Sequence, residues 1–210
     1  SPQIPILLEV LDALGLPLLG VDDYEADDLI ATLSVEQSGP IRIVTGDRDL
    51  FQLVNDDRDV KIVYLAKGVS NHDLVDLNWI SHKYEIPGNR YALFAMIRGD
   101  SSDGLPGIKG IGEKGAAYIA NNFDSLPAVI EAARKGDERL TPNHRKKLIE
   151  SSEYAAIAPK LVNCATDVTI PNMVIDLPKS PASMKDLMRL KDQYGLGASI
   201  DRVINAFGWS

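Results

Sequence analysis

Strand-forming runs occur only in the first third of this chain, and that placement limits what it can fold into. Residues 17–21, 41–44 and 60–65 are short, apolar and bounded by turn residues, so each reads as a strand. Helical spacing recurs between them. Ile4, Leu7, Leu8, Leu11 and Leu14 share one face before Gly15, and Leu29, Ile30 and Leu33 form the core face of a second helix over about 25–37. A short helix is expected at 49–54. This alternation predicts an α/β fold with a largely parallel sheet flanked by helices. Beyond about Leu74 the strand signals fade, and helices are expected at 76–84, 91–98, 113–121, 126–134, 143–150, 153–162, 184–194 and 199–207. The expected division is an α/β part over 1–95, an all-α module over 96–165 and a C-terminal extension over 166–210 that packs back on the α/β part.

Charge is uneven along the chain. Residues 1–103 carry 18 Asp and Glu against 8 Lys and Arg, residues 104–147 carry 5 against 8, and residues 148–210 carry 7 against 6. An acidic block followed by a basic one predicts one part that collects cations and another that meets an anion. The lone cysteine, Cys164, fits a reducing cytosol, and its neighbours predict a buried, inert thiol. No apolar run reaches the roughly 18–20 residues that span a bilayer, and the first residues carry no basic leader pattern, so no membrane partner is expected.

Three acidic clusters stand out. Glu25, Asp27 and Asp28 fall in the first turn of the second helix, where acidic residues also simply complement the helix dipole. Asp47 and Asp49 follow the strand at 41–44, at the end where open α/β sheets bind ligands; the plainer reading is an Asp-rich turn bonding its own backbone. Asp100 and Asp103 sit in a Gly-flanked loop that suits either a tight turn or a hard cation. The seven carboxylates come without Cys or His, which favours Mg²⁺ or Mn²⁺ over zinc, and their convergence would require such ions to offset mutual repulsion. Two metals about 4 Å apart is the arrangement that hydrolyses phosphodiesters.

Leu105-Pro106-Gly107-Ile108-Lys109-Gly110-Ile111-Gly112-Glu113-Lys114 is the most specific stretch. Gly107, Gly110 and Gly112 permit tight turning, the helix beginning near Glu113 offers its amides to a phosphate, and Lys109 and Lys114 add charge. Such a hairpin grips a sugar-phosphate backbone without reading bases.

These residues make the chain resemble the 5′-nuclease family, which includes the 5′-nuclease domain of bacterial DNA polymerase I and stand-alone bacterial flap endonucleases. The resemblance rests on Tyr24-Glu25-Ala26-Asp27-Asp28, Thr45-Gly46-Asp47-Arg48-Asp49 and Gly99-Asp100-Ser101-Ser102-Asp103-Gly104-Leu105-Pro106-Gly107, in that order, and runs from about residue 3 to at least residue 165. It implies a PIN-like core followed by a helix-hairpin-helix module. Glu25, Asp27 and Asp28 would serve a first metal or bridge two, and Asp47, Asp49, Asp100 and Asp103 would serve a second, with Asp28, Asp47 and Asp49 at the chemistry. It implies Mg²⁺ or Mn²⁺ at the site and a potassium ion on backbone carbonyls near Ile108 and Ile111. The implied substrates are 5′ flaps, nicks and gapped duplexes, cut to a 5′-phosphate and 3′-hydroxyl during replication and repair. A monomer linked functionally to polymerase and ligase, beside the nucleoid in a bacterial cytoplasm, completes the expectation. The family pattern also holds two earlier aspartates and a basic helical arch that these 210 residues lack, so a fragment with an incomplete metal site is expected.

Two other readings stay open: a junction-binding protein of the same fold that does not cut, and a ribonuclease of the related acidic-site group, which lacks the hairpin. His72, His82 and His144 are expected at surfaces or helix ends, and Trp79 and Trp209 in packing. Arg134, Lys135, Arg139, Arg145, Lys146 and Lys147 either extend a duplex footprint or form a solvated face. Arg48 is expected to steady the neighbouring aspartates.

Overall fold

The computed structural model describes residues 2–101, 104–172 and 176–209. Strand β1 (Ile41–Thr45) pairs in parallel with β2 (Val60–Tyr64), from Ile41 opposite Val60 to Thr45 opposite Tyr64. A third strand, β3 (Asp73–Val75), adds antiparallel pairing, from Ile62 opposite Val75 to Tyr64 opposite Asp73. The order β1-β2-β3 leaves β1 at an edge, and its side chains alternate between faces, Ile43 buried on one and Val44 exposed on the other. The strand expected at 17–21 does not form: no ladder partner lies beside it among the described residues, and Leu18 is exposed. A strand is a pairing, and an apolar run without a neighbour has no reason to become one. Strand β3 was not anticipated, because three residues carry no readable period.

The helices are α1 (Gln3–Leu14), α2 (Ala26–Glu36), α3 (Leu77–Tyr84), α4 (Tyr91–Arg98), α5 (Glu113–Asn122), α6 (Leu126–Lys135), α7 (Pro142–Glu150), α8 (Ser152–Val162), α9 (Met184–Tyr194) and α10 (Gly197–Phe207), with a 3-10 turn at Asp49–Leu53. Asp76 caps α3, accepting from the Trp79 amide at 2.7 Å, and Gly15 closes α1 in the left-handed conformation, both at the expected places; Gly136 and Gly195 close α6 and α9 in the same way.

The chain forms two compact units, one of residues 24–168 and one of residues 1–23 with 169–210. The break after residue 168 falls near the expected boundary at 165, while residues 1–23 group with 169–210 and no break falls at 95. Residue 95 lies inside α4, which buries Tyr91, Leu93, Phe94, Ala95, Met96 and Ile97 against the Asp49–Leu53 turn on one side and α5, α6 and α8 on the other. Fading strand signal marks a change of secondary structure here, within one continuous core. In the smaller unit, α1, α9 and α10 bury Val10, Ala13, Leu14, Leu187, Leu190, Ile200 and Trp209. Helix α1 buries a different face from the one its leucine spacing predicts, since Ile4, Leu7 and Leu8 are exposed. Among the described residues no helix is long and apolar enough to cross a membrane.

Gly99 and Gly107 bring two backbone segments into contact. A Cβ on Gly107, whose φ is +65°, would stand 2.7 Å from the Arg98 carbonyl carbon and the Gly99 nitrogen. Gly107→Ala is expected to lower unfolding free energy by about 2 kcal/mol or more in urea titration, through clash and left-handed strain together. A loss within about 0.5 kcal/mol, the size typical of a neutral surface substitution, would contradict that contact.

Candidate functional site

Helix α2 opens with a capping box: the Glu25 amide donates to Asp28 Oδ2 at 3.2 Å, and the Glu25 carboxylate accepts from the Asp28 amide. Asp28 Oδ1 accepts from the Ala165 amide at 2.7 Å, so this carboxylate also ties down a segment 137 residues away. Thr32, fully buried one turn on from Asp28, accepts from the Val168 amide at 3.3 Å and donates to the Ala165 carbonyl at 3.4 Å. Gln52 donates to the Asp49 and Val162 carbonyls at 2.8 and 2.9 Å and accepts from the Cys164 amide at 3.2 Å. These side chains lace residues 162–168 over α2 and the Asp49–Leu53 turn. The result is a cavity of about 240 Å³ lined by Glu25, Asp27, Asp28 and Asp49, with Lys160 and Cys164 on its other wall. Sequence reasoning missed Thr32 and Gln52; the available signal was a polar residue four positions after Asp28 on an otherwise apolar face.

Cys164 reports on that convergence. Burial, and then the charges of Asp27, Asp28 and Asp49, push its thiol up to about 12. The inert thiol expected from its neighbours is found.

The other carboxylates are placed differently. Asp47 is exposed and accepts from the Asp49 amide at 2.9 Å, the self-bonded turn that was the plainer reading. Asp100, its side chain 11% exposed, is held by Arg48 at 2.7 Å and Arg98 at 3.3 Å, both on Oδ2. These residues line a second cavity, of about 570 Å³, with Glu113 and the loop at 104–106. Asp103 lies outside the described residues. Among the described residues no three of His, Cys, Asp and Glu are positioned to share a metal ion. Glu25, Asp27, Asp28 and Asp49 thus line one cavity, Asp47 bonds its own turn, and Asp100 lies between two guanidiniums. Arg48 does steady a carboxylate, but the partner is 52 residues away rather than beside it. The four carboxylates supply the hard oxygen donors that a divalent cation prefers, but as placed no three of them stand close enough to share one. Asp100, already neutralised, fits one less well.

In the hairpin, Asp100 and Leu105 exchange backbone bonds at 2.9 and 2.8 Å, and the Ile108 amide donates to the Ile97 carbonyl at 2.9 Å. Ile108 and Ile111 are buried anchors, while Lys109 and Lys114 are exposed. Gly110 has φ +80°, and Gly112 begins α5 with no side-chain cap on its first amides. Several downstream basic residues serve the fold. Arg139 binds Asp137 at 2.7 Å, holding that carboxyl down at about 2, and lies over the Phe123 ring. Arg145 caps the Gly136 and Asp137 carbonyls at 3.0 and 2.9 Å after α6, and Lys147 donates to the Gly110 carbonyl. Arg134, Lys135 and Lys146 remain on the surface. His72 and His82 are exposed, whereas His144, at the start of α7, is half-buried beside Gly115 and Tyr118.

Residues 1–85 match the family model described as 5′-3′ exonuclease, N-terminal resolvase-like domain, and residues 86–185 match 5′-3′ exonuclease, C-terminal SAM fold. A 5′-3′ exonuclease of Streptomyces coelicolor is 47% identical over 204 residues, covering 97% of this chain and 68% of the relative. One from Mycobacterium tuberculosis is 36% identical over 98% of this chain and 67% of its own length. DNA polymerase I of Mycobacterium bovis is 44% identical over 132 residues, which are 61% of this chain and 14% of that protein. Among solved structures, a bacteriophage T5 5′-exonuclease superposes with a TM-score of 0.54 at 19% identity, covering 68% of this chain and 56% of that one. A bacteriophage T5 flap endonuclease complexed with DNA and metal ions gives a TM-score of 0.54 at 19% identity, over 68% and 50% of the two chains. The chain thus spans about two thirds of the two exonucleases, a seventh of the polymerase and about half of these structures.

With the Cys164 thiol raised to about 12, only about one part in 10⁴ is thiolate at pH 8. Iodoacetamide is expected to label native Cys164 at least about 100-fold more slowly than the urea-unfolded chain. Because the folded value exceeds the unfolded one, the corresponding stabilisation is complete below about pH 9 and is lost as pH rises toward 12. Equal labelling rates in the two states would show that the Cys164 thiol is not buried.

Proposed function

This chain belongs to the 5′-3′ exonuclease family, and from that premise we propose that it hydrolyses phosphodiesters in 5′-flap, nicked or gapped DNA, using divalent metal and leaving a 5′-phosphate and a 3′-hydroxyl. The observation that carries this reading is the convergence of Glu25, Asp27, Asp28 and Asp49 on one cavity, in the same compact unit as the glycine hairpin. Those four would hold Mg²⁺ or Mn²⁺. When bound, such ions activate water and stabilise charge on the phosphate.

The chain's own residues set the geometry. Asp28 is oriented through the Ala165 and Glu25 amides, and Asp47 fixes the backbone that presents Asp49. Lys109, Lys114 and the amides of Gly107, Gly110 and Gly112 would engage the sugar-phosphate backbone, giving salt-sensitive, sequence-independent binding. Asp100 and Asp103 complete the acidic set implied by the resemblance, and Asp100 joins it by leaving its arginines. The nicked product carries the ends a ligase seals, which places the reaction among replication and repair steps in a bacterial cytoplasm.

A second reading, a junction binder that does not cut, is favoured by one observation: Arg48 and Arg98 already neutralise Asp100. Cleavage of a labelled 5′-flap duplex separates the two. Cutting is expected with Mg²⁺ or Mn²⁺, and Asp27→Asn or Asp49→Asn is expected to lower kcat by about 10²–10³-fold, the scale of losing one electrostatic contact in a transition state. Flap affinity should hold within about threefold, since replacing one carboxylate by its isosteric amide leaves the phosphate contacts in place. Tight flap binding with no cutting under either metal would establish the binder.

A further inference from the structure

Lys147, in the last turn of α7, reaches back 37 residues to the hairpin and donates its ammonium to the Gly110 carbonyl. Its side chain lies across the turn: a Cβ on Gly110 would stand 2.6 Å from Nζ, 3.0 Å from Cε and 3.4 Å from Cδ. Only a glycine, here at φ +80°, leaves that space open. No carboxylate pairs with Lys147 among the described residues, whereas its neighbour Lys146 faces Glu150 at 3.8 Å. The contact falls on the turn that precedes the first amides of α5, which have no side-chain cap.

The resemblance assigns a potassium ion to backbone carbonyls near Ile108 and Ile111, and the residues present do not fit it. The carbonyl between them is taken by the ammonium, and the Ile108 carbonyl already accepts from the Ile111 amide at 2.9 Å. A second monovalent cation within a few ångströms of an ammonium is repelled.

We propose that Lys147 is the hairpin's built-in monovalent cation: it holds the Gly110 carbonyl, fixes the turn, and so positions the Gly112–Lys114 amides for a DNA phosphate without a bound potassium ion. Two of its three N–H donors remain to meet the same phosphate. Lys147 is thus a positioning residue, and its role at DNA rests on the hairpin being a phosphate grip.

The test measures affinity of the full chain for a labelled 5′-flap duplex in EDTA, in KCl, NaCl and choline chloride at equal ionic strength, with thermal midpoints in the same salts. The wild type and Lys147→Arg are expected to bind within about twofold across the three salts, because ionic strength alone then sets affinity. Lys147→Met is expected to bind about tenfold more weakly in choline, the scale of one charge-assisted hydrogen bond, and to recover part of that loss in KCl. Wild-type binding about tenfold tighter in KCl than in choline would overturn the proposal, as would an unchanged Lys147→Met. If no variant binds the duplex in any salt, the DNA reading fails, and the midpoints decide the clamp alone. A KCl-induced rise confined to Lys147→Met upholds it, and a rise in the wild type overturns it.

Discussion

Burial of α4 is the constraint on which the larger unit depends. Six of its eight residues are buried, and Phe94 and Ile97 are fully excluded from solvent. One side meets the 3-10 turn that follows β1, and the others meet α5, α6 and α8. Burying side chains of that size stabilises each contact by roughly 1.5–3 kcal/mol, so the sheet and the helical region cannot separate without exposing both. The loops that leave the two sides, 46–49 and 99–107, carry the aspartates and the hairpin. Their relative placement is inherited from a packed helix.

On that frame, electrostatics sorts the acidic residues. Four carboxylates line one cavity against a single exposed lysine, an arrangement whose internal repulsion a divalent cation offsets. Asp100 has a different neutraliser. Two guanidiniums meet one of its oxygens, and removing either partner of so buried a pair leaves charge without compensation. Glu25, Asp27, Asp28 and Asp49 therefore share one cavity, while Asp100 is held by its own arginines.

The local features were legible in the sequence. The acidic start of α2, the self-bonded turn at Asp47 and Asp49, and the tight turning at Gly107 all depend on residues near them in sequence. What depended on partners far along the chain was not legible. The apolar run at 17–21 reads as a strand until one asks what it pairs with, and β1 reads as buried until its edge position is known. Arg48 gives no sign that its partner is Asp100, and Thr32 and Gln52 give none that they hold residues 162–168. Nor does the fading strand signal near 95 show that α4 packs on both the sheet side and the helical side of one core.

The unequal treatment of the two acidic groups is the centre of this account, and Mn²⁺ titration of the ¹⁵N-labelled protein tests it most directly. Paramagnetic broadening should reach the amides of Glu25, Asp27, Asp28, Asp49 and residues 162–164 at lower Mn²⁺ than those of Gly99, Asp100 and Ser101. Broadening that begins around Asp100, or reaches both groups together, would contradict it and restore a single shared site.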